Sequence, residues 1–186
     1  MIESVPIIKD LLANGAISSL DAACSKKIYA ALTSDLPTLG RFEERRPGLD
    51  WGRIWRWVAS IKGRDREIIF LLSHDLLPTN ERKMRRNQTP SLFCPMCHLN
   101  NENIAHLMLW CPYRAETASW LQRMLLGLGC NSPLEDSIHG HIGDCPSPRT
   151  AFALLQAYIS TTWKKRKHLL VPPVSELEEL WASLLR

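Results

Sequence analysis

Three observations predict an all-α fold. No stretch of any length alternates apolar and polar residues with the period of two that a half-buried strand requires. Apolar residues recur instead at three- and four-residue spacing, in blocks punctuated by proline and glycine. One run then places three thiols and an imidazole, Cys94, Cys97, His106 and Cys111, in the order C-x2-C-x8-H-x4-C. That set fills one tetrahedral zinc shell and leaves no position for substrate, so the metal it predicts is a single structural Zn2+. The expected molecule is a compact helical domain with a CCHC zinc knuckle over 94–111, the zinc turn being the one place for a tiny β-hairpin.

Taken in order, Pro6 to Asn14 reads as a short helix ended by Gly15. Ser19 to Thr33 follows, with Ser19 or Asp21 as its cap, Cys24 as a small buried residue and Pro37 beyond it. Leu39 to Leu49 is polar and charged and reads as a loop, the natural hinge of the chain. Asp50 caps a helix through Ser60 whose apolar stripe is Trp51, Ile54, Trp55 and Val58, with Trp57 off the stripe. Asp65 starts the helix of Ile68, Ile69, Leu71, Leu72 and Leu76, which Pro78 stops. Thr79 caps the next, which carries Glu81 to Arg86.

Thr89, Pro90 and Ser91 lead into the zinc turn in extended form, because the residue before a proline is pushed out of the helical region. Two cysteines separated by two residues wrap one ion from a tight turn, and Pro95 sits inside it. His106 and Cys111 are five residues apart, about 140° around an ideal helix, too far to grip one ion. The helix is therefore expected to stop between them, with Pro112 supplying the stop. Leu107, Met108, Leu109 and Trp110 are expected to pack the knuckle onto the rest of the chain.

Beyond it, Tyr113, Thr117, Leu121, Met124 and Leu128 trace one helix face, ended by Gly127 and Gly129. A loop rich in glycine, proline and histidine covers 129–148. Thr150 to Leu170 is the longest helical pattern, closed by Val171-Pro172-Pro173. Ser175 and Glu178 form a capping box for a last helix with Leu177, Leu180, Trp181 and Leu184 on one side.

The 186 residues, 45% of them apolar, suit a compact domain with a sizeable core. The formal charge of +4 falls to about +3 once three cysteines lose protons to a divalent ion. Met1-Ile2-Glu3-Ser4 carries an acid where a signal peptide needs a basic flank, and no apolar run approaches the roughly 20 residues that cross a bilayer. An intracellular protein, nuclear or cytoplasmic, with reduced thiols and no membrane partner is expected. Cys130, His139, His141 and Cys145 offer a second metal set, disfavoured because its spacing matches no established class.

Two basic clusters carry the expectation of RNA or DNA as partner. Arg82, Lys83, Arg85 and Arg86 precede the first cysteine pair, and Lys164, Lys165, Arg166 and Lys167 lie near the end of the longest helix. Arginine pairs phosphate with two parallel hydrogen bonds, and an exposed aromatic stacks on an unpaired base. The competing reading of both clusters is a solvated helix end, where positive charge suits the dipole. Of the seven tryptophans, Trp51, Trp55, Trp120 and Trp181 are assigned to packing, and Trp57 and Trp163 to contact.

The stretch from Arg66 to Trp120 resembles the zinc-binding domain downstream of the reverse transcriptase in non-LTR (LINE-type) retrotransposons. Leu77-Pro78-Thr79, Arg82, Cys94, Cys97, His106-Leu107, Cys111-Pro112 and Trp120 carry the resemblance, and Asn100-Asn101-Glu102-Asn103 is less acidic than that family's usual run. Ser25-Lys26-Lys27-Ile28-Tyr29, Asp50-Trp51 and Ile54-Trp55 resemble the connector before it. Three segments are expected: a helical connector over 1–49, the zinc-binding domain over 50–128, and a loop with C-terminal helices over 129–186. The resemblance implies an accessory role beside a reverse transcriptase, in cis or in trans. No Asp-Asp pair occurs for the polymerase metals, so the chain is expected to be non-catalytic and to take no small-molecule substrate. A zinc-stapled protein-interaction module and an inactive remnant are the alternatives.

Overall fold

The computed structural model describes residues 49–89 and 91–186. The helices expected over Pro6–Asn14 and Ser19–Thr33, the placement of Cys24, the loop from Leu39 up to residue 48, and Pro90 lie outside the described residues. Asp50–Arg186 forms one compact unit. It is helical throughout, and strand-like pairing among the described residues is a single antiparallel bridge between Phe93 and Asn101.

Helix α1, Trp51–Ser60, starts where Asp50 accepts a hydrogen bond from the Arg53 N–H at 2.8 Å. That satisfies one of the orphan donors of the first turn. Its buried stripe is Ile54, Trp57 and Val58, continued by Ile61 beyond the helix. This corrects the expectation for Trp57, which is 6% exposed and stacked on Phe152 at 4.7 Å between centroids. Trp57 is three residues after Ile54 and one before Val58, so the stripe is rotated by one position from the expected one. Trp51 and Trp55 are only half-buried; they stack on each other, and Trp55 meets Phe70 and His74 in tilted ring contacts.

Helix α2, Arg64–Ser73, follows Gly63, whose φ of 65° favours glycine. It buries Ile68, Ile69 and Leu72 and ends at His74, short of the expected Leu76. Helix α3, Asn80–Met84, is a short turn behind Thr79. After the zinc turn come α4, Ala115–Gly127, and the four-residue α5, Leu134–Ser137. Helix α6, Pro148–Arg166, and helix α7, Val174–Leu184, complete the unit. The capping box at Ser175 is not formed: Pro173 holds the cap position, and Glu178 instead accepts from the Trp120 indole N–H at 3.2 Å.

Helix α6 supplies the centre of the core through Leu154, Leu155 and Tyr158, all fully buried. It packs against α2, α4 and α7, so residues 129–186 share one core with 50–128. The segment 129–148 is more than an open loop, since Ile138 and Ile142 are each 1% exposed. Gly140, at φ +95°, lets that segment lie on α1, because a Cβ there would stand 3.0 Å from the Trp57 ring and 3.1 Å from Ile54. Among the described residues no helix is long and apolar enough to cross a membrane.

Candidate metal centre

The first cysteine pair sits in a turn closed by backbone bonds on both flanks. The Cys94 N–H donates to the Asn100 carbonyl at 2.8 Å, the Glu102 N–H to Leu92 at 2.9 Å and the His98 N–H to Cys94 at 2.9 Å. His98 takes a positive φ of 55° to turn the chain back. The expected hairpin thus reduces to one bridge and its flanking bonds. Asn103 then caps the next turn, its side-chain oxygen accepting from the His106 N–H at 2.8 Å.

Between His106 and Cys111 the helix does not stop; it widens. His106–Trp110 is a π turn in which the Cys111 N–H donates to the His106 carbonyl at 2.9 Å. A bond from residue i+5 back to residue i returns the cysteine over the histidine instead of 140° away, which solves the geometric problem that the five-residue spacing poses. Such turns are rare and recur at functional sites. Cys111 itself is extended at ψ 124°, as the residue before Pro112 should be, and Pro112–Arg114 follows as one 3-10 turn. Leu107, Met108 and Leu109 pack inward as expected, whereas Trp110 is turned out to 59% exposure.

The four ligand atoms lie within 4.8 Å of one another. Cys94 Sγ is 4.0 Å from Cys111 Sγ, and Cys97 Sγ is 3.4 Å from His106 Nε2. Tetrahedral bonds of about 2.3 Å to sulfur and 2.0–2.1 Å to nitrogen imply edges of about 3.6–3.8 Å, so the set fits one zinc ion. All four residues are buried, which leaves no open position for substrate.

Local electrostatics suit the same reading. Burial pushes the Cys111 thiol up to about 11, so without metal it holds its proton at neutral pH and zinc binding must release it. Burial also raises Cys97, but backbone N–H groups of Leu99 and Asn100 and bonds from the neighbouring thiols outweigh it, and the net shift is downward. Burial holds His106 below the usual histidine range, opposed by the Glu102 charge and aided by that of Arg114. A neutral imidazole is the form that ligates metal.

Arg114, which the sequence reading missed, is fully buried beside this centre. Its Nη1 donates to the Leu107 carbonyl at 2.7 Å and its Nη2 to the Met96 sulfur at 3.1 Å, so it ties the turn of the first pair to that of the second. Burial lowers its pKa, and the Cys111 and Cys94 charges oppose that effect. Three thiolates and a neutral imidazole on a divalent ion carry a net charge of −1, and the guanidinium is the cation placed to balance it.

The basic clusters fare differently. Arg82 is half-buried and donates to the Asp75 carbonyl at 3.0 Å, Lys83 is half-buried, Arg85 pairs with Glu81 at 2.5 Å, and Arg86 is exposed. In the second cluster Lys164 pairs with Asp65 at 2.6 Å and Lys165 with Glu176 at 2.5 Å. Arg166 pairs with the fully buried Glu102, reaches Asn80 Oδ1 at 3.1 Å and lies 5.2 Å over the Trp163 ring. Lys167 is exposed. Trp163 is thus half-buried under an arginine of its own chain.

The second metal set does not assemble. Cys130 and Cys145 are joined to each other as a disulfide with Cα atoms 4.5 Å apart, and His139 faces Asp75 at 3.8 Å. This pair departs from the expectation that every thiol is reduced; Cys94, Cys97 and Cys111 are free. Among the described residues one Cys/His cluster, that of the four expected ligands, is arranged to hold an ion.

A family model described as zinc-binding in reverse transcriptase matches residues 25–120. No curated protein and no solved structure matches the chain.

Proposed function

The chain belongs to the zinc-binding in reverse transcriptase family, and on that premise we propose that it is a zinc-stabilised, non-catalytic accessory module that binds nucleic acid for a reverse transcriptase of the non-LTR (LINE-type) kind. Its target is the element's RNA or the target DNA, and the polymerase is supplied in cis or in trans. The observation that carries this reading is the closed, buried Cys3His shell within a family described by its association with reverse transcription. A shell without an open position offers structure and no Lewis acid to a substrate, so what remains for the module is to hold a partner.

Fluorescence anisotropy of the zinc-loaded chain, against single-stranded RNA and duplex DNA at several salt concentrations, tests it. Binding that weakens as salt rises is expected, because phosphate contacts release counterions. Absence of binding to both at low salt sinks the reading. A second reading, protein docking, is favoured by the exposed Phe93, Leu99, Trp110 and Tyr113 flanking the zinc ligands, between 51% and 70% accessible. Self-association that ignores salt is its signature.

A further inference from the structure

Away from the zinc centre, α1 and the start of α6 enclose a cleft of about 1100 Å³. Arg53, Arg56, Lys62 and Arg149 line it, against two carboxylates, Asp65 and Asp144. Two of these six charges are committed elsewhere: Arg53 bonds Asp50 and the Gly143 carbonyl, and Asp65 bonds Lys164. That leaves Arg56, Lys62 and Arg149, all exposed, facing one exposed carboxylate, Asp144. Among the described residues no carboxylate pairs with any of the three cations.

We infer that this cleft is a seat for the phosphate backbone of a nucleic-acid strand. The inference deepens the proposed function and rests on it. Unpaired like charges gathered on concave walls focus a positive potential, which a polyanion neutralises. The cleft also has an aromatic wall, the Trp57–Phe152 stack, with Phe152 partly exposed. A basic groove with an aromatic side is the arrangement that tracks single strands. Helix α6, nineteen residues long, starts at this wall with no acidic residue in its first turn, so its dipole adds to the cations and opposes none of them. None of these three cations belongs to a basic cluster visible in the sequence: Arg149 is distant in the chain from Arg56 and Lys62, and the meeting of α1 and α6 at the Trp57–Phe152 stack brings them to one cleft.

The test uses the zinc-loaded full chain and the same anisotropy titration, with the paired substitution Arg56→Gln and Arg149→Gln. Both side chains are exposed, so the fold should survive, and an unchanged melting curve checks that. Loss of two phosphate contacts should lower the salt slope by about 1–2 and weaken binding roughly tenfold or more at low salt. Asp144→Asn should tighten binding instead. Arg123→Gln, an exposed cation on α4, should change neither. If the wild-type chain binds but the Arg56/Arg149 variant keeps its slope, or Arg123→Gln loses as much per charge, the cleft assignment is overturned while the proposed function stands. If the wild-type chain binds no nucleic acid, both fall together.

Discussion

Arg114 shows how a single buried cation can decide whether a metal centre is affordable to a protein interior. An uncompensated charge in an apolar core is strongly unfavourable, and the loaded Cys3His centre carries one negative charge. The guanidinium lies 0% exposed with hydrogen bonds to Leu107 and Met96. Arg114→Met should therefore weaken zinc binding by about 10–100-fold, the usual cost of removing an outer-shell partner. Arg114→Lys should recover part of it, since the charge returns without the planar fork. Competition against a chelator of known affinity measures both, and a methionine variant that holds zinc as tightly as wild type removes the counterion argument. The Cys94, Cys97, His106 and Cys111 cluster, which the fold brings together, was legible in the sequence because coordination restricts residue type and order. Arg114 was not, since its partners are a carbonyl and a thioether that leave no mark on the residues around it. Trp57 and Trp110 exchanged their expected places for a related reason: a one-position rotation of a helix, or one widened turn, moves a side chain between core and solvent.

At the scale of elements, the zinc turn, α3 and the end of α6 are held by one polar knot. Glu102, fully buried, accepts from the Asn80 backbone N–H at 2.9 Å and from Arg166 Nε at 2.6 Å. Removing one member of a buried pair leaves an uncompensated charge and costs about 3–5 kcal/mol. Arg166→Ala should lose stability of that order in urea unfolding of the zinc-loaded chain. Its neighbour Lys167, exposed, should lose no more than about 0.5 kcal/mol on the same change. Equal losses at the two positions would show that the knot is not what joins these elements. In sequence Lys164 to Lys167 is an undivided basic run, and only the fold assigns its members separate partners. Helix existence was legible from apolar spacing and caps, as at Asp50 before α1. The π turn was not, because a helix is expected to break where five residues separate two ligands, and the alternative of widening has no residue signature. The boundary expected at 128/129 reflects a change in composition, across which α6 builds the core of both halves.

For the molecule as a whole, the question is whether zinc staples a local turn or the entire unit. Structural zinc contributes about 10–16 kcal/mol in small zinc-binding peptides, against about 5–15 kcal/mol of total stability for a typical domain. The centre is wired into the core at two further points besides Arg114: the Tyr158 hydroxyl of α6 donates to the Met108 carbonyl of the π turn, and Glu102 holds Arg166. Without the ion, buried thiols that had been held as one shell lose their common partner, and the π turn loses the reason for its unfavourable width. The loss should then pass through Met108 and Glu102 into α6, and from α6 into α2 and α7, which pack on it. Hydrogen exchange after chelation should accordingly show α2 and α6 losing protection together with residues 91–111, and melting should broaden or shift across the whole unit. Retained protection in α6 beside a freely exchanging zinc turn would mean that the helices fold on their own and that the metal orders the turn alone.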